Sequence, residues 1–456
     1  MTLHRSILRL AVIVSVVALL LAVGSARPLG SGIGSAESPR ATSVPKPSAW
    51  TGGPVTSPST PMSTDRHVAA DGSDDADGSA AHPWATIAHA VEAIEPGRTI
   101  RVGPGTFAGA EIDRPGLAVV GTSRRTVVSG GLIVRADGVR LEGLAVGGRD
   151  QAYQGGITVR DARDVTIVGN SVSGNSFGVY LIDALGAHVA GNQISDNAYG
   201  IEIHGRTDGV VIEGNRIADN DRPLDDARAA GGLNLYLTSG PVLVRDNDFA
   251  DNDEVGIEIY GASNVEIRGN RFSGSSDMIE TGTEDGRPCD DLRIHRNVFY
   301  NDAIGDDSEE RGIYLRCASR SVVERNTFDG LDRFAIGLYA GEGGFNGPLE
   351  DLSIRHNILA WGRAFSVDSA MPGSVTIDAN VLFPCKVGDC PILGHQVAFV
   401  AGHGGTERFA TFRAWTGFEA SGLVSDPQFV DRGGRDYRVA AGSPASGLAG
   451  AFDDGS

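Results

Sequence analysis

One residue type recurs through this 456-residue chain at a pitch that few folds can use. Asparagines stand at Asn170, Asn192, Asn215, Asn247, Asn270, Asn297, Asn326, Asn357 and Asn380, separated by 22, 23, 32, 23, 27, 29, 31 and 23 residues. Each has the same setting of alternating apolar residues before it and a short apolar pair after it, as in "VTIVGNSV", "AHVAGNQI", "VVIEGNRI" and "VEIRGNRF". A regular minimum with longer insertions is what stacked coils of short strands produce, because insertions loop outward without disturbing the stack. At a tight corner asparagine tolerates left-handed backbone angles, and its amide can bond the asparagines one coil above and below. The expectation is an all-β parallel solenoid, a β-helix.

Composition agrees. Gly reaches 63 residues and aromatics only 6%, which suits short strands and tight turns, while 41% hydrophobic residues suffice for a long core. The net charge of −19 argues against nucleic acid as a partner. Lys46 and Lys386 are the only lysines, so a lysine base is nearly excluded. At the N-terminus His4, Arg5 and Arg9 precede the apolar run Leu10–Val23, and "GSA" at Gly24–Ala26 offers small residues for cleavage. Residues 1–26 therefore read as a signal peptide, with an uncleaved anchor as the alternative and no other membrane segment expected. Either way the body is exported, to the outside or the cell envelope, and its cysteines meet oxidising conditions. Residues 27–64, rich in Pro, Ser, Gly and Thr, read as a flexible linker.

The solenoid is expected over residues 65–450, with a closing segment over 384–450. "HPWATIAHAVEAI" sets Trp84, Ile87, Val91 and Ile94 at helical spacing, an amphipathic cap for the first open coil. Together "DGSDDADGSAAHPWATIAHAVEAIEPGRTIRVGPGTF" and "TFRAWTGFEASGLVSDPQFVDRGGRDYRVAAGSPASG" resemble the opening and closing coils of secreted right-handed parallel β-helix proteins of the pectate-lyase-like superfamily. That resemblance implies a right-handed fold with an N-terminal capping helix. It does not select a chemistry, because this shell carries lyases, hydrolases, epimerases and non-enzymes.

One strand per coil reads as a small residue followed by alternation: "GITVR", "GVYLI", "GIEIH", "GLNLY", "GIEIY", "MIETG", "GIYLR". With Ile157, Val159, Ile201, Ile203, Ile257 and Ile259 turned inward, the outward file is Thr158, Tyr180, Glu202, Asn234, Glu258, Glu280 and Tyr314. A second outward file is Arg160, Ile182, His204, Tyr236, Tyr260, Gly282 and Arg316. Stacked Glu258 and Glu280 repel unless a cation binds or one carboxyl keeps its proton. Tyr180, Tyr236, Tyr260 and Tyr314 offer flat faces for sugar rings, with Glu202 beside them. The trough is expected to face solvent and to take polysaccharide.

Two insertions add acids: Glu284, Asp285, Asp290 and Asp291 in one, Asp302, Asp306, Asp307, Glu309 and Glu310 in the next. Hard oxygen at that density favours calcium if a metal binds, and a solvated loop is the plain alternative. Cys289 lies eight residues before Asn297 and Cys317 nine before Asn326, nearly the same place on consecutive coils, so a disulfide is expected. Cys385 and Cys390 are expected to close a small loop. "DGSDDADG" at Asp71–Gly78 lacks the closing Glu of a calcium loop and reads as turn chemistry.

The segment "MIETGTEDG…LRIHRNVF…RGIYLRCASRSVVERNTF" loosely resembles the calcium-dependent alginate and chondroitin lyases. The resemblance implies Arg316 as the catalytic arginine and Asn234, Glu258 and Glu280 as calcium ligands. Thr283 or a neighbour stands where that family has its lysine base, so Arg311 or His204 would have to serve. The leading expectation is an exported, monomeric, calcium-assisted polysaccharide lyase acting on uronic-acid glycan. The alternatives are a non-catalytic glycan-binding or envelope protein, and a glycoside hydrolase or epimerase.

Overall fold

Alternating Val, Ile and Leu become short parallel strands, three to a coil, in a computed structural model that describes residues 65–149, 154–222, 230–301, 310–341, 344–368, 371, 374–383 and 397–452. The signal segment and linker expected over 1–64 lie outside the described residues, as do Cys385, Cys390 and the acids Asp302, Asp306, Asp307 and Glu309. Among the described residues, no helix is long and apolar enough to cross a membrane.

The first file of strands runs from Arg66–Val68 to Thr376–Asp378 in unbroken chain order. Its inward residues stack one per coil: Val119 pairs with Leu141, Leu141 with Ile167, Ile167 with Val189 and Val189 with Ile212. All five are fully buried. In the second file Phe249, Phe272, Phe299 and Phe328 stack nearly parallel, with ring centroids 4.6–5.0 Å apart. The third file carries the candidate site. Its strands are β1 (Gly155–Arg160), β2 (Phe177–Ile182), β3 (Tyr199–Arg206), β4 (Gly231–Ser239), β5 (Val255–Tyr260), β6 (Asp277–Gly282), β7 (Arg311–Leu315) and β8 (Phe334–Leu338).

The asparagine ladder forms as expected. From Asn170 to Asn380, each side-chain Nδ2 donates to the Oδ1 of the next asparagine at 2.9–3.1 Å. Each Nδ2 also donates to a backbone carbonyl of an earlier strand, for example Asn270 to Val244 at 3.0 Å. The left-handed angle falls one residue earlier than expected. Gly169, Gly191, Gly214 and Gly269 adopt it with φ of 61–67°, and Asp246, Arg296, Arg325, His356 and Ala379 with φ of 55–58°. The preceding residue makes the turn, which frees the asparagine to point inward. A shorter ladder, Asn175–Asn197–Asn220–Asn252, runs beside it at 2.9–3.0 Å.

Both ends are closed. Helix α1 (Ile87–Ala93) covers the first coils with Ile87, Ala90 and Val91, and Thr86 caps it by accepting from the His89 amide. Asp74 accepts from the Ala85 and Thr86 amides at 2.9 and 3.0 Å, so the acidic run at Asp71–Gly78 supplies local turn and cap bonds. Helix α2 (Phe409–Thr416) seals the far end, with Phe412 stacked on Phe365 at 5.4 Å. A C-terminal hairpin, Phe429–Asp431 with Asp436–Val439, ties back through Asp329, which accepts from Arg432 Nε at 2.8 Å and the Tyr437 hydroxyl at 3.0 Å.

The ladder ends on a carboxylate. Asn380 donates from Nδ2 to Glu419 Oε1 at 2.7 Å and from its backbone amide to Oε2 at 3.2 Å. Glu419 is fully buried, and burial raises its pKa to about 7 against the pull of the Asn380 bonds.

Asn270→Ala should cost about 3 kcal/mol or more in chemical denaturation, because it orphans donors and acceptors on both neighbouring coils. A folded state that keeps the Glu419 proton to about pH 7, well above where an unfolded glutamate releases it, is favoured at low pH and loses that advantage as pH rises through 7. Glu202 and Asp277 are shifted the same way. The melting temperature should therefore fall from about pH 5 to about pH 8, by on the order of a few degrees. Glu419→Gln should flatten that profile; an unchanged slope would show that Glu419 does not contribute to it.

Candidate functional site

The expected outward file is a true column. Backbone pairing runs Thr158 to Tyr180, Tyr180 to Glu202, Glu202 to Asn234, Asn234 to Glu258, Glu258 to Glu280 and Glu280 to Tyr314. The second file pairs Arg160, Ile182, His204, Tyr236, Tyr260 and Gly282 in the same order, and Arg316 follows Leu315, the partner of Thr281. Successive coils lie about 4.8 Å apart. Gly282 is needed here: a Cβ would come within 2.2 Å of the Tyr260 ring, which lies across it.

The column does not face solvent as expected. Glu202, Asn234, Glu258 and Glu280 are 8%, 8%, 4% and 3% exposed, and Tyr180, Tyr236 and Tyr260 are also buried. These side chains leave the core yet remain closed, in part because Phe345 covers Tyr260 with ring centroids 4.9 Å apart. Half-buried residues bracket the closed centre, Tyr199 and His204 on one side and Arg311, Tyr314 and Arg316 on the other.

Burial sets the electrostatics. Desolvation, then the like charge of Glu258, pushes the Glu202 carboxyl well above its ordinary value, against a hydrogen bond from Asn234. Both effects favour the protonated form of Glu202. Asn234 Oδ1 is buried and has no hydrogen-bond partner. Asp277, which precedes Glu280 by three residues, rises to about 7 through burial and then Glu280, with Arg311 opposing. His204 is lowered by burial, with Arg287 and Arg160 adding to the effect and Asp183 opposing it.

The two arginines expected as catalytic groups are already engaged. Arg311 donates to both oxygens of Asp277 at 2.7 Å, and Arg316 Nη1 donates to Glu280 Oε1 at 2.9 Å. Arg316 Nε also donates to Asn346 Oδ1 at 3.0 Å. Although burial acts to lower both guanidinium pKa values, their acid partners raise them, so neither suits the role of base. The pair flanks Tyr314, with guanidinium carbons 5.3 and 5.6 Å from its ring centre. Thr283, at the lysine-base position implied by the resemblance, donates its amide to the Phe345 carbonyl at 2.8 Å.

For calcium the residues fit in part. Asn234 and Glu258 are adjacent oxygen donors, but Glu280 is shared with Arg316, and among the described residues no three Asp, Glu, His or Cys side chains converge as a metal group. The acidic loop is used internally. Glu284 accepts from the Tyr236 hydroxyl at 3.1 Å, while Arg320 pairs with Asp290 and Asp291 at 3.0 and 3.1 Å. The expected Cys289–Cys317 disulfide is absent: both are free, buried thiols. Their sulfurs are engaged otherwise. Cys289 Sγ donates to the Gly282 carbonyl at 2.9 Å, and Cys317 Sγ accepts from the Cys289 amide at 2.9 Å.

Sequence reasoning missed the file three residues before the column: Phe177, Tyr199, Gly231, Val255, Asp277, Arg311 and Phe334, paired coil to coil. Its signal was present, since each stands at the same offset from a column member. Phe177 packs on Tyr180 and Tyr199, with centroids 4.8 and 6.0 Å away, so the N-terminal end of the face is aromatic and its centre acidic.

Removing the buried charge that helps to raise the Glu202 carboxyl should not weaken the fold. Glu258→Gln should leave the melting temperature unchanged or higher at pH 8 and should bring the Glu202 pKa down, read from carboxyl carbon shifts. A Glu202 titration that does not move would show that Glu258 is not what lifts it.

The family model described as a right-handed β-helix region matches residues 125–272 and 231–399. No curated protein sequence matches the chain. Among solved structures, the catalytic unit of a thermostable GH87 α-1,3-glucanase from Streptomyces thermodiastaticus strain HF3-3 shares 15% identity at a TM-score of 0.53, over 74% of this chain and 65% of that one. XylC in complex with xylose shares 11% at 0.50, over 80% and 87%. Pectate lyase Pel9A shares 15% at 0.46, over 84% and 91%. At these identities the likeness is one of fold. The two family matches together span more than half of the sequence, and the chain belongs to the right-handed β-helix family.

Proposed function

We propose that this is an exported polysaccharide-active protein whose β3–β7 face works by carboxylate acid–base chemistry, as a glycoside hydrolase. The observation that carries the reading is a pair of buried carboxyls two coils apart, Glu202 and Glu258, with Asn234 between them and the Glu202 pKa raised by burial. Two coil spacings put the two backbones about 9–10 Å apart, at or just beyond the roughly 6.5–9.5 Å between carboxyls that leaves room for a water between acid and base. Glu202 gives its proton to the glycosidic oxygen. Glu258 takes a proton from the water that attacks the anomeric carbon from the opposite side, so the configuration inverts. Tyr199, His204 and Tyr314 receive sugar rings at the two half-buried ends, and the chain displaces the side chains that close the centre, Tyr236 and Tyr260 among them. Arg311 and Arg316, neutralised by Asp277 and Glu280, offer their remaining N–H groups to sugar hydroxyls.

A second reading, calcium-assisted elimination on a uronate polymer, is favoured by the unpartnered Asn234 Oδ1. Calcium would neutralise the uronate carboxylate. Asn234 and Glu258 would hold it together with the Glu280 oxygen that Arg316 leaves, and Arg311 or His204 would have to take the proton. The raised Arg311 pKa counts against that step.

Incubation with neutral, amino-sugar and uronate polysaccharides should release new reducing ends with inverted anomeric configuration, seen by NMR. Glu202→Gln and Glu258→Gln should each lower the rate by about 100-fold or more. An unsaturated, ultraviolet-absorbing product that needs calcium would replace hydrolysis with elimination. No product from any polymer would leave the face without catalytic function.

A further inference from the structure

The face does not stop at Tyr314. Its column continues through Gly337 on β8 and Ser366 on the next strand, Phe365–Val367. The file three residues before the column continues from Arg311 through Phe334 to Arg363, which stands two residues before Phe365 as Phe334 stands two before its partner Ile336. Gly337 leaves room for two rings: a Cβ there would come within 2.5 Å of the Phe334 ring and 3.0 Å of the Tyr339 ring. Tyr314 meets Tyr339 edge to face with centroids 4.7 Å apart and Phe334 at 6.0 Å. The Tyr339 hydroxyl lies 3.0 Å from Ser366 Oγ.

This aromatic patch ends on a cation without an anion. Arg363 is half-buried, and its Nε is buried with no hydrogen-bond partner. Among the described residues no carboxylate pairs with it. Burial, then the charge of Arg333, holds its pKa below the ordinary value, and Tyr339 opposes them. Arg311 and Arg316, by contrast, each have an acid within 3 Å. A half-buried guanidinium beside a second arginine asks for an anion that accepts from its N–H groups.

We infer that Arg363 anchors an acidic substituent of the glycan, and that the glycan is a neutral chain bearing widely spaced acidic groups. The inference rests on the reading of this face as a polysaccharide site and names the class of chain it takes. A carboxylate or sulfate presents paired oxygens to the guanidinium fork and brings the charge that offsets burial. The sugar that carries it lies against Tyr314 and Tyr339. Five coil spacings, about 24 Å, separate this point from Asn234, so the acidic group belongs to a sugar several residues from the bond held between Glu202 and Glu258. Between the two points Arg311 and Arg316 are taken by Asp277 and Glu280, and the chain carries a net charge of −19. A polymer with an acid on every sugar gains the one anchor and is repelled along the rest of the face.

The test is calorimetric binding of the full chain to glucuronoxylan and gellan, to the same polymers with their carboxyls reduced to alcohols, to a sparsely sulfated galactan before and after desulfation, and to polygalacturonate. At least one sparsely acidic polymer should bind about tenfold or more tightly than its own neutral form, equivalent to about 1.4 kcal/mol. The matched pair that shows the difference identifies carboxylate or sulfate as the group. Arg363→Gln should erase that difference without lowering the affinity for the neutral form or the melting temperature, and Arg363→Lys should keep part of it. Neutral forms binding as tightly as their acidic parents, or Arg363→Gln retaining the preference, would overturn the inference and leave the polysaccharide reading in place. Tightest binding to polygalacturonate would overturn the wide spacing of the acids. Binding of none of the polymers would overturn the inference and the polysaccharide reading together.

Discussion

A buried amide that must find partners on two neighbouring coils constrains everything else in this molecule. Each ladder asparagine gives its Nδ2 to the next asparagine and to a carbonyl behind it, and receives at Oδ1 from the coil before. A coil displaced by one residue would leave several such groups unpaired in an apolar interior, at about 1–3 kcal/mol each. The spacing between asparagines can therefore vary from 22 to 32 residues while the strands stay in step. Extra chain leaves the stack at the loops and returns in register.

That fixed register has an electrostatic consequence. With strand partners set by the ladder, Glu202, Glu258 and Glu280 have no freedom to avoid one another along the coil axis, and burial makes the conflict stronger. The chain resolves it three ways. Burial favours the protonated form of Glu202, an asparagine separates it from Glu258, and Arg316 neutralises Glu280. Arg311 does the same for Asp277 in the adjoining file. Nothing in the apolar core calls for acids here, which is why this face, and not the equally regular first file, carries the functional proposal.

The periodic parts of the structure were legible in the sequence because a repeat states them several times over. The asparagine positions, the inward Ile and Val residues and the order Tyr180–Glu202–Asn234–Glu258–Glu280–Tyr314 all follow from one offset repeated coil by coil. The parts that differed depend on contacts between residues distant in sequence. The burial of the column involves Phe345, 85 residues beyond Tyr260. The pairing of Arg316 with Glu280 and Asn346 turns a presumed catalytic cation into a neutralised one. The cysteines were placed correctly on consecutive coils, yet their sulfurs bond the backbone, a choice that spacing does not reveal. Asparagine tolerates the left-handed angle, which points a reading of the sequence to it; the ladder instead needs the asparagine turned inward, and the preceding residues, such as Arg296 and Arg325, take the positive φ.

The amide ladder also has a direction. Every Nδ2 points toward the C-terminal end, so the row of aligned dipoles begins with an acceptor, Asn170 Oδ1 receiving the Leu144 amide, and finishes with two donors on Asn380. Only the finishing end meets a carboxylate. Such a row behaves like a polymer with unlike ends: a duplicated coil can be inserted anywhere along it provided it brings one more asparagine, whereas the terminus must always be matched by a group that accepts twice. Lengthening the solenoid is thus open to evolution at every internal joint, and Glu419 marks the one place where the stack is obliged to stop.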